Sequence, residues 1–161
     1  MSAEAPARTL PSPLVWFRRI ATAEAITWAL LLAGMVLKYS GVTELGVRVF
    51  GLVHGVVFIG FCLTVLLVAV DQRWPAGRVL LGLASSIPPF ATIWFDRRAE
   101  RLGHLAGAWR LLGEPASRSA RPAERLAGWL LRHPGRGVAV GVAAVAVLTV
   151  VALVVGPPFQ K

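Results

Sequence analysis

Residues 17–70 read FRRIATAEAITWALLLAGMVLKYSGVTELGVRVFGLVHGVVFIGFCLTVLLVAV. Two apolar runs lie in this stretch, about Phe17–Leu37 and about Leu45–Val70, with the polar Lys38–Glu44 between them. A hydrocarbon core about 30 Å thick is crossed by about 20 helical residues, and each run reaches that length. In lipid every backbone N–H and C=O must find a partner inside the protein, which a lone strand cannot provide, so both runs must be helices. The stretch therefore sets the class: all-α, a polytopic membrane helical bundle.

Working outward, a third run covers about Val79–Phe95 and contains Pro88–Pro89. Tandem proline removes backbone donors, so this run is predicted to kink. It either spans the bilayer or re-enters on the side it came from. A fourth run, about Gly137–Val155, is almost pure Val, Ala and Leu. The expected organisation is an N-terminal tail (1–15), a three-segment membrane core (16–96), an Arg-rich linker (97–136), a C-terminal fourth transmembrane helix (137–156) and a short tail (157–161). The first run follows a proline-containing polar stretch and is longer than the roughly 7–15-residue core of a secretory signal, which reads as a retained helix.

Composition agrees with a membrane class. Of 161 residues 56% are hydrophobic and 16% charged, against about 25% charged in ordinary soluble domains; mean hydropathy is +0.66. A water-soluble globular enzyme is excluded by these values. The net charge of +9 comes from 17 basic residues, all arginine except Lys38 and Lys161, against 8 acidic ones. Beside long apolar runs, such charges orient helices and meet anionic headgroups; no base-reading motif is present, and no nucleic-acid partner is expected. Cys62, the lone cysteine, cannot form an intrachain disulfide.

The Arg-rich linker has helical periodicity at first. In DRRAERLGHLAGAWRLLG (96–113), Leu102, Leu105, Ala106, Trp109 and Leu112 fall at helical spacing. An amphipathic helix on the membrane surface is expected, with Arg97, Arg98, Arg101, Trp109 and Arg110 touching headgroups. A second amphipathic piece covers Ala123–Leu131. Orientation follows from the cations. With four spans, Lys38, Arg48 and the nine linker arginines, 11 in all, would share the cytoplasmic side against 6 opposite. With a re-entrant third run the split is 14 against 3, and the N-terminus lies inside. Both arrangements put the linker in the cytoplasm.

Four polar residues lie where lipid would be. Glu24 sits about one and a half turns into the first run, where an unpaired carboxylate costs roughly 2.5–3.5 kcal/mol; it must face protein. Ala21 and Ala25 flank it and permit close helix approach. His54 lies between Gly51 and Gly55, a GxxxG packing face. By depth, counted from the turn at 39–44, Glu24 is expected to meet Ser86 and His54 to meet Thr92, with an axial offset of about 8 Å between Glu24 and His54. Gly137 and Gly141 form a second GxxxG, placed to pack the fourth helix on the bundle or on another copy. A set of internal hydrogen-bonding groups, a proton or ion path, and a metal site using His54 with Cys62 are all compatible with this pattern. His104 and His133 have no metal-ligand spacing, and no cofactor or metal is expected. No Ser/His/Asp set, GxSxG, HExxH or phosphate loop occurs, which reads as a non-enzyme.

The runs FRRIATAEAITWALLLAGMVLKYSG, VFGLVHGVVF and IPPFATIWFDRR together resemble the bacterial membrane-protein family known as domain of unknown function 3817. The resemblance rests on Arg18 and Glu24, on Leu37–Lys38–Tyr39, on Gly51 with His54–Gly55 and Phe58, and on Pro89–Phe90, and covers about Phe17–Arg98. Members usually have Met-Pro-Leu-Lys where this chain has Met35–Val36–Leu37–Lys38. The resemblance implies three membrane helices and a bacterial inner-membrane location, and no established activity. Two functions compete: an accessory or scaffold component of a membrane protein complex, joined to other membrane proteins or to itself, and a small oligomeric transporter or ion-conducting protein using Glu24 and His54.

Overall fold

The structure is a computed structural model that describes residues 10–113 and 121–156; residues 1–9 of the expected N-terminal tail, the 114–120 stretch of the linker and the whole expected tail 157–161 lie outside it. Its helices are α1 (Pro13–Tyr39), α2 (Leu45–Asp71), α3 (Ala76–Ala84), α4 (Ala91–Arg101), α5 (Arg110–Gly113), α6 (Pro122–Arg132) and α7 (Pro134–Val155), with no strand among the described residues. Three of them, α1, α2 and α7, are long and apolar enough to cross a membrane. Helix α1 starts inside the expected tail: Ser12 caps it by accepting from Val15 N–H at 3.3 Å, and Pro13 supplies a first-turn residue with no N–H to satisfy.

Helices α1 and α2 form an antiparallel pair whose register is set by glycine. A Cβ on Gly34 would lie 2.8 Å from the Gly46 carbonyl carbon and 2.9 Å from Val47 N. The two backbones touch there because neither residue carries a side chain. Further along, Ile20 reaches Gly60 and Phe17 meets Phe61 edge-on at 5.6 Å. One end of the pair is the Tyr39–Leu45 turn. The other, where α1 begins and α2 stops, is the basic end.

The third run does not form one helix. Ser85 and Ser86 turn their hydroxyls back to Gly82 O (2.7 Å) and Leu83 O (2.6 Å) at the end of α3. Pro88 and Pro89 cannot donate, Phe90 takes a left-handed conformation (φ 65°), and α4 starts afresh at Ala91. The two short helices lie side by side in opposite directions. Gly82 comes so close to Phe95 that a Cβ would be 3.2 Å from its ring, and the Trp74 indole N–H donates to His104 O at 2.9 Å. Both feet of this hairpin stand at the basic end. Its tip reaches Trp28, whose indole donates to Ser86 O at 3.2 Å. The expected break falls at the prolines, and of the two courses left open for this run the chain takes the one that doubles back.

The linker also differs from expectation. Helix α4 stops at Arg101, and Gly103 turns the chain at φ 67°. The apolar spacing of 102–112 therefore belongs to an irregular strap, not to one amphipathic helix. Leu105 and Trp109 are buried in it, while Leu102 and Leu112 are exposed. The strap closes the basic end over an aromatic core in which Phe17, Phe61, Trp74 and Phe95 pack edge-on or tilted at 5.6–6.1 Å. Helix α6 lies across this end with Ala127, Gly128 and Leu131 turned inward. Helix α7 then runs back along α2 and contributes no buried residue of its own.

Candidate functional site: a buried polar cluster on α1, α2 and the hairpin

Glu24 is fully buried in α1, as its cost in lipid requires. Its Oε2 pairs with the Thr92 hydroxyl at 2.7 Å, in the first turn of α4. Thr92 Oγ1 also lies 3.4 Å from Ala21 O. A hydroxyl has one proton to give. The Thr92 hydroxyl donates to Glu24 Oε2, with the Ala21 carbonyl as its more distant neighbour, and this contact ties the hairpin to α1. Glu24 Oε1 is buried with no hydrogen-bond partner among the described residues.

His54, buried on α2, meets α1 at Thr27: Nδ1 lies 3.0 Å from Thr27 Oγ1, and that hydroxyl donates to Glu24 O at 2.9 Å. Since Thr27 gives its proton to the carbonyl, the imidazole must carry its own on Nδ1. The Trp28 ring stands 4.5 Å from the imidazole and Phe58 6.4 Å. Among the described residues, Glu24 and His54 are thus joined through Thr27 and the α1 backbone.

The four residues singled out from sequence are all buried, and their partners differ from those expected. Glu24 takes Thr92 rather than Ser86; His54 takes Thr27 rather than Thr92; Ser86 offers its carbonyl to Trp28 while its hydroxyl stays on α3. The hairpin doubles back and returns Thr92 to the depth of Glu24. Thr27 and Trp28 were missed, although they follow Glu24 by three and four residues and so share its helix face.

Of the expected packing residues, Ala21 and Ala25 are buried. Gly51 has only ordinary contact with Leu31 at 3.8 Å, and Gly55 and Gly141 border open space. Gly137 is required where α7 leaves α6, since a Cβ there would lie 2.5 Å from Leu130 O. The backbone contact of α1 with α2, Gly34 on Gly46, was not singled out.

The basic end is held by ion pairs. Arg18 bonds Asp96 at 3.2 Å and Glu100 at 2.5 Å, fastening α4 to α1. Buried Asp71 accepts the N–H groups of Arg110 (3.2 Å) and Leu111 (2.9 Å) at the start of α5. Arg110 in turn covers the α2 terminus, bonding Val70 O (3.2 Å), Asp71 O (2.5 Å) and Glu124 (2.9 Å). Arg97, Arg98 and Arg101 are exposed as expected, Arg98 lying over the Trp94 ring at 5.6 Å. Trp109 and Arg110 are corrected: the Trp109 indole is buried and donates to Pro11 O at 2.8 Å, and Arg110 is the clamp just described. Both were assigned outward because the strap was read as a helix. The Glu124 carboxyl is held below its ordinary range: desolvation works against the shift, but the Arg121 N–H and the Arg110 and Arg73 guanidinium groups outweigh it. The His104 imidazole is held below its ordinary value by desolvation and by nearby Arg78 and Arg98. No group of three or more His, Cys, Asp or Glu among the described residues is placed to hold a metal ion.

Three helices long and apolar enough to cross a membrane, together with a buried polar cluster, define a helical membrane protein. The model of the family described as Domain of unknown function (DUF3817) matches residues 14–101, and the chain belongs to that family. It is similar to "Putative membrane protein SCO5905" of Streptomyces coelicolor, 50% identical over 91 residues, which are 55% of this chain and 11% of that protein. The chain therefore spans about a tenth of the length of the curated relative it matches. No solved structure matches.

Proposed function

We propose that this chain is a multi-pass cell-membrane protein that serves, without catalysing a reaction, as an accessory or scaffold component of a larger membrane assembly. The observation that carries this reading is α7: a 22-residue apolar helix with no buried residue of its own, beside a bundle whose ionisable groups are bonded internally. Val142, Ala146, Val150 and Val154 are exposed at four-residue spacing along it, the pattern of a face that meets another membrane helix. That the same module forms 11% of a much longer relative agrees with a unit working as part of something larger.

In this reading α1, α2 and α7 cross the bilayer and the α3–α4 hairpin re-enters from the basic end. Among the described residues, Arg18, Arg19, Arg73, Arg78, Arg97, Arg98, Arg101, Arg110, Arg121, Arg125, Arg132 and Arg136 stand at that end, against Lys38 and Arg48 at the turn end. Cations gather in the cytoplasm, so the basic end and the N-terminus face inward, and exposed Arg97, Arg98 and Arg101 meet anionic headgroups. Of the two orientations open from sequence, this is the re-entrant one.

The test is extraction of the tagged full chain in a mild detergent, with mass spectrometry of what accompanies it. A membrane protein should be retained by the parent chain and lost from Ala146→Phe, with the fold intact. A chain that purifies alone and conducts ions after reconstitution, with the flux abolished by Glu24→Gln or His54→Ala, would replace this reading by the conducting one.

A further inference from the structure

A groove of about 380 Å³ lies between α2 and α7, lined by Val47, Arg48, Gly51, Leu52, Gly55, Phe58, Ile59, Thr149, Ala152 and Leu153. It occupies the half of the bundle nearer the turn end, away from the basic end, and its lining residue Phe58 also borders His54. At 1.5 Å per residue, Val47–Ile59 covers about 18 Å along α2, which makes the mean cross-section of the groove about 20 Å². A helix with its side chains is about 10–12 Å across, or roughly 80–110 Å². The groove does not enclose a whole helix, and an extended hydrocarbon chain fits along it.

Its polar groups sit toward one mouth. Arg48, in the first turn of α2, is an exposed guanidinium whose recorded ion pair is with Glu44 at 3.4 Å; Lys38 also meets Glu44, at 3.6 Å. Two cations thus share one carboxylate, and the mouth keeps a net positive charge. Thr149 lines the wall one turn inward from Leu153. Its hydroxyl oxygen is buried and makes no hydrogen bond among the described residues. Below it the floor is Gly51 and Gly55, the latter open to the groove, and the inner end is Phe58 and Ile59. From the mouth inward the order is cation, then apolar slot.

We propose that this groove is a binding site for a membrane phospholipid. One acyl chain lies along Gly51 and Gly55 toward Phe58, and the phosphate rests on Arg48. The GxxxG face of α2 then keeps a slot open for lipid instead of closing on a helix. With the basic end inward, the bound lipid belongs to the outer leaflet.

The full chain is reconstituted in phosphatidylcholine nanodiscs that contain a small fraction of phosphatidylglycerol with a photoreactive acyl chain. After irradiation, labelled residues are mapped by mass spectrometry. Label should concentrate on residues 47–59 and 149–153. Gly55→Leu, which puts four carbons into the slot, should lower that label about tenfold or more. Gly141→Leu, at open space on α7 outside the groove, should not. Arg48→Gln leaves the slot intact and should lower retention of phosphatidylglycerol in native mass spectra about tenfold, by loss of a charge-assisted contact. Label spread evenly over all lipid-facing helices would overturn the proposal. So would equal label in the parent and Gly55→Leu, or cross-links showing a second copy of the chain seated in the groove.

Discussion

Thr92→Val removes one hydroxyl and almost nothing else, since the two side chains have nearly the same shape. Glu24 Oε2 then loses its 2.7 Å partner while Oε1 already has none, and a fully buried carboxyl is left without a hydrogen bond. Stranding a buried polar group costs about 1–3 kcal/mol. Hydrogen bonds between helices in membranes measure about 0.6–1.7 kcal/mol, because the unfolded chain in lipid finds other partners. Full burial puts this site in the upper part of that range, so a loss of about 1–2 kcal/mol is expected. Glu24→Leu should cost less than that at the Thr92 side, where the freed hydroxyl still has Ala21 O at 3.4 Å. The double variant removes both polar groups together and should lie close to the better single variant, a coupling of about 1 kcal/mol or more. Reversible unfolding in bicelles, followed by steric trapping, measures all four proteins. Strictly additive losses, with coupling below about 0.3–0.5 kcal/mol, would mean that Glu24 and Thr92 do not share a bond, and the account of how the hairpin is held would fail.

Gly34→Ala should destabilise the α1–α2 pair by about 1–3 kcal/mol, since its Cβ would fall 2.8 Å from backbone; Gly55→Ala, facing open space, should be neutral or better in the same unfolding assay. Asp71→Ala strips the start of α5 of two N–H acceptors, and limited proteolysis should cut the 102–113 strap faster without releasing α1 or α2 from the membrane. Glu124 has a folded-state affinity for protons below its unfolded one, so its tether to Arg110 and Arg73 is intact above the ordinary value of 4.5 and is lost as pH falls through the lower folded value. Trp129 fluorescence on α6, recorded in a variant with the other tryptophans replaced by phenylalanine, should change in that acid window and should not in the same background with Glu124→Gln.

Hydropathy disclosed the helices that matter. The runs now seen as α1, α2 and α7 were legible because lipid demands length and apolarity in one continuous stretch. Glu24, His54, Ser86 and Thr92 were legible for the complementary reason, that lipid penalises them. The partners were not, because they depend on two facts outside any single run. The first is the backbone contact of Gly34 with Gly46, which sets α2 deeper against α1 than counting from the turn allows; His54 therefore meets Thr27, one turn from Glu24, and not a point about 8 Å away. The second is the reversal at Ser85–Phe90. Proline marked the place, but a left-handed Phe90 cannot be read from proline alone. The strap misled for a related reason: Leu105 and Trp109 have helical spacing by coincidence and are buried from an irregular backbone, where Gly103 was the sign of a stop.

The central claim is that the chain enters the bilayer from the basic end in the α3–α4 hairpin and leaves by the same face. Single cysteines at Ser40, Gly77 and Gly103, in a Cys62→Ser background, can be probed in intact spheroplasts with a membrane-impermeant maleimide. Ser40→Cys should react at once, and Gly77→Cys and Gly103→Cys should both react only after the membrane is opened. Labelling of Gly77→Cys and Gly103→Cys from opposite sides would make the third run a true crossing and contradict the account.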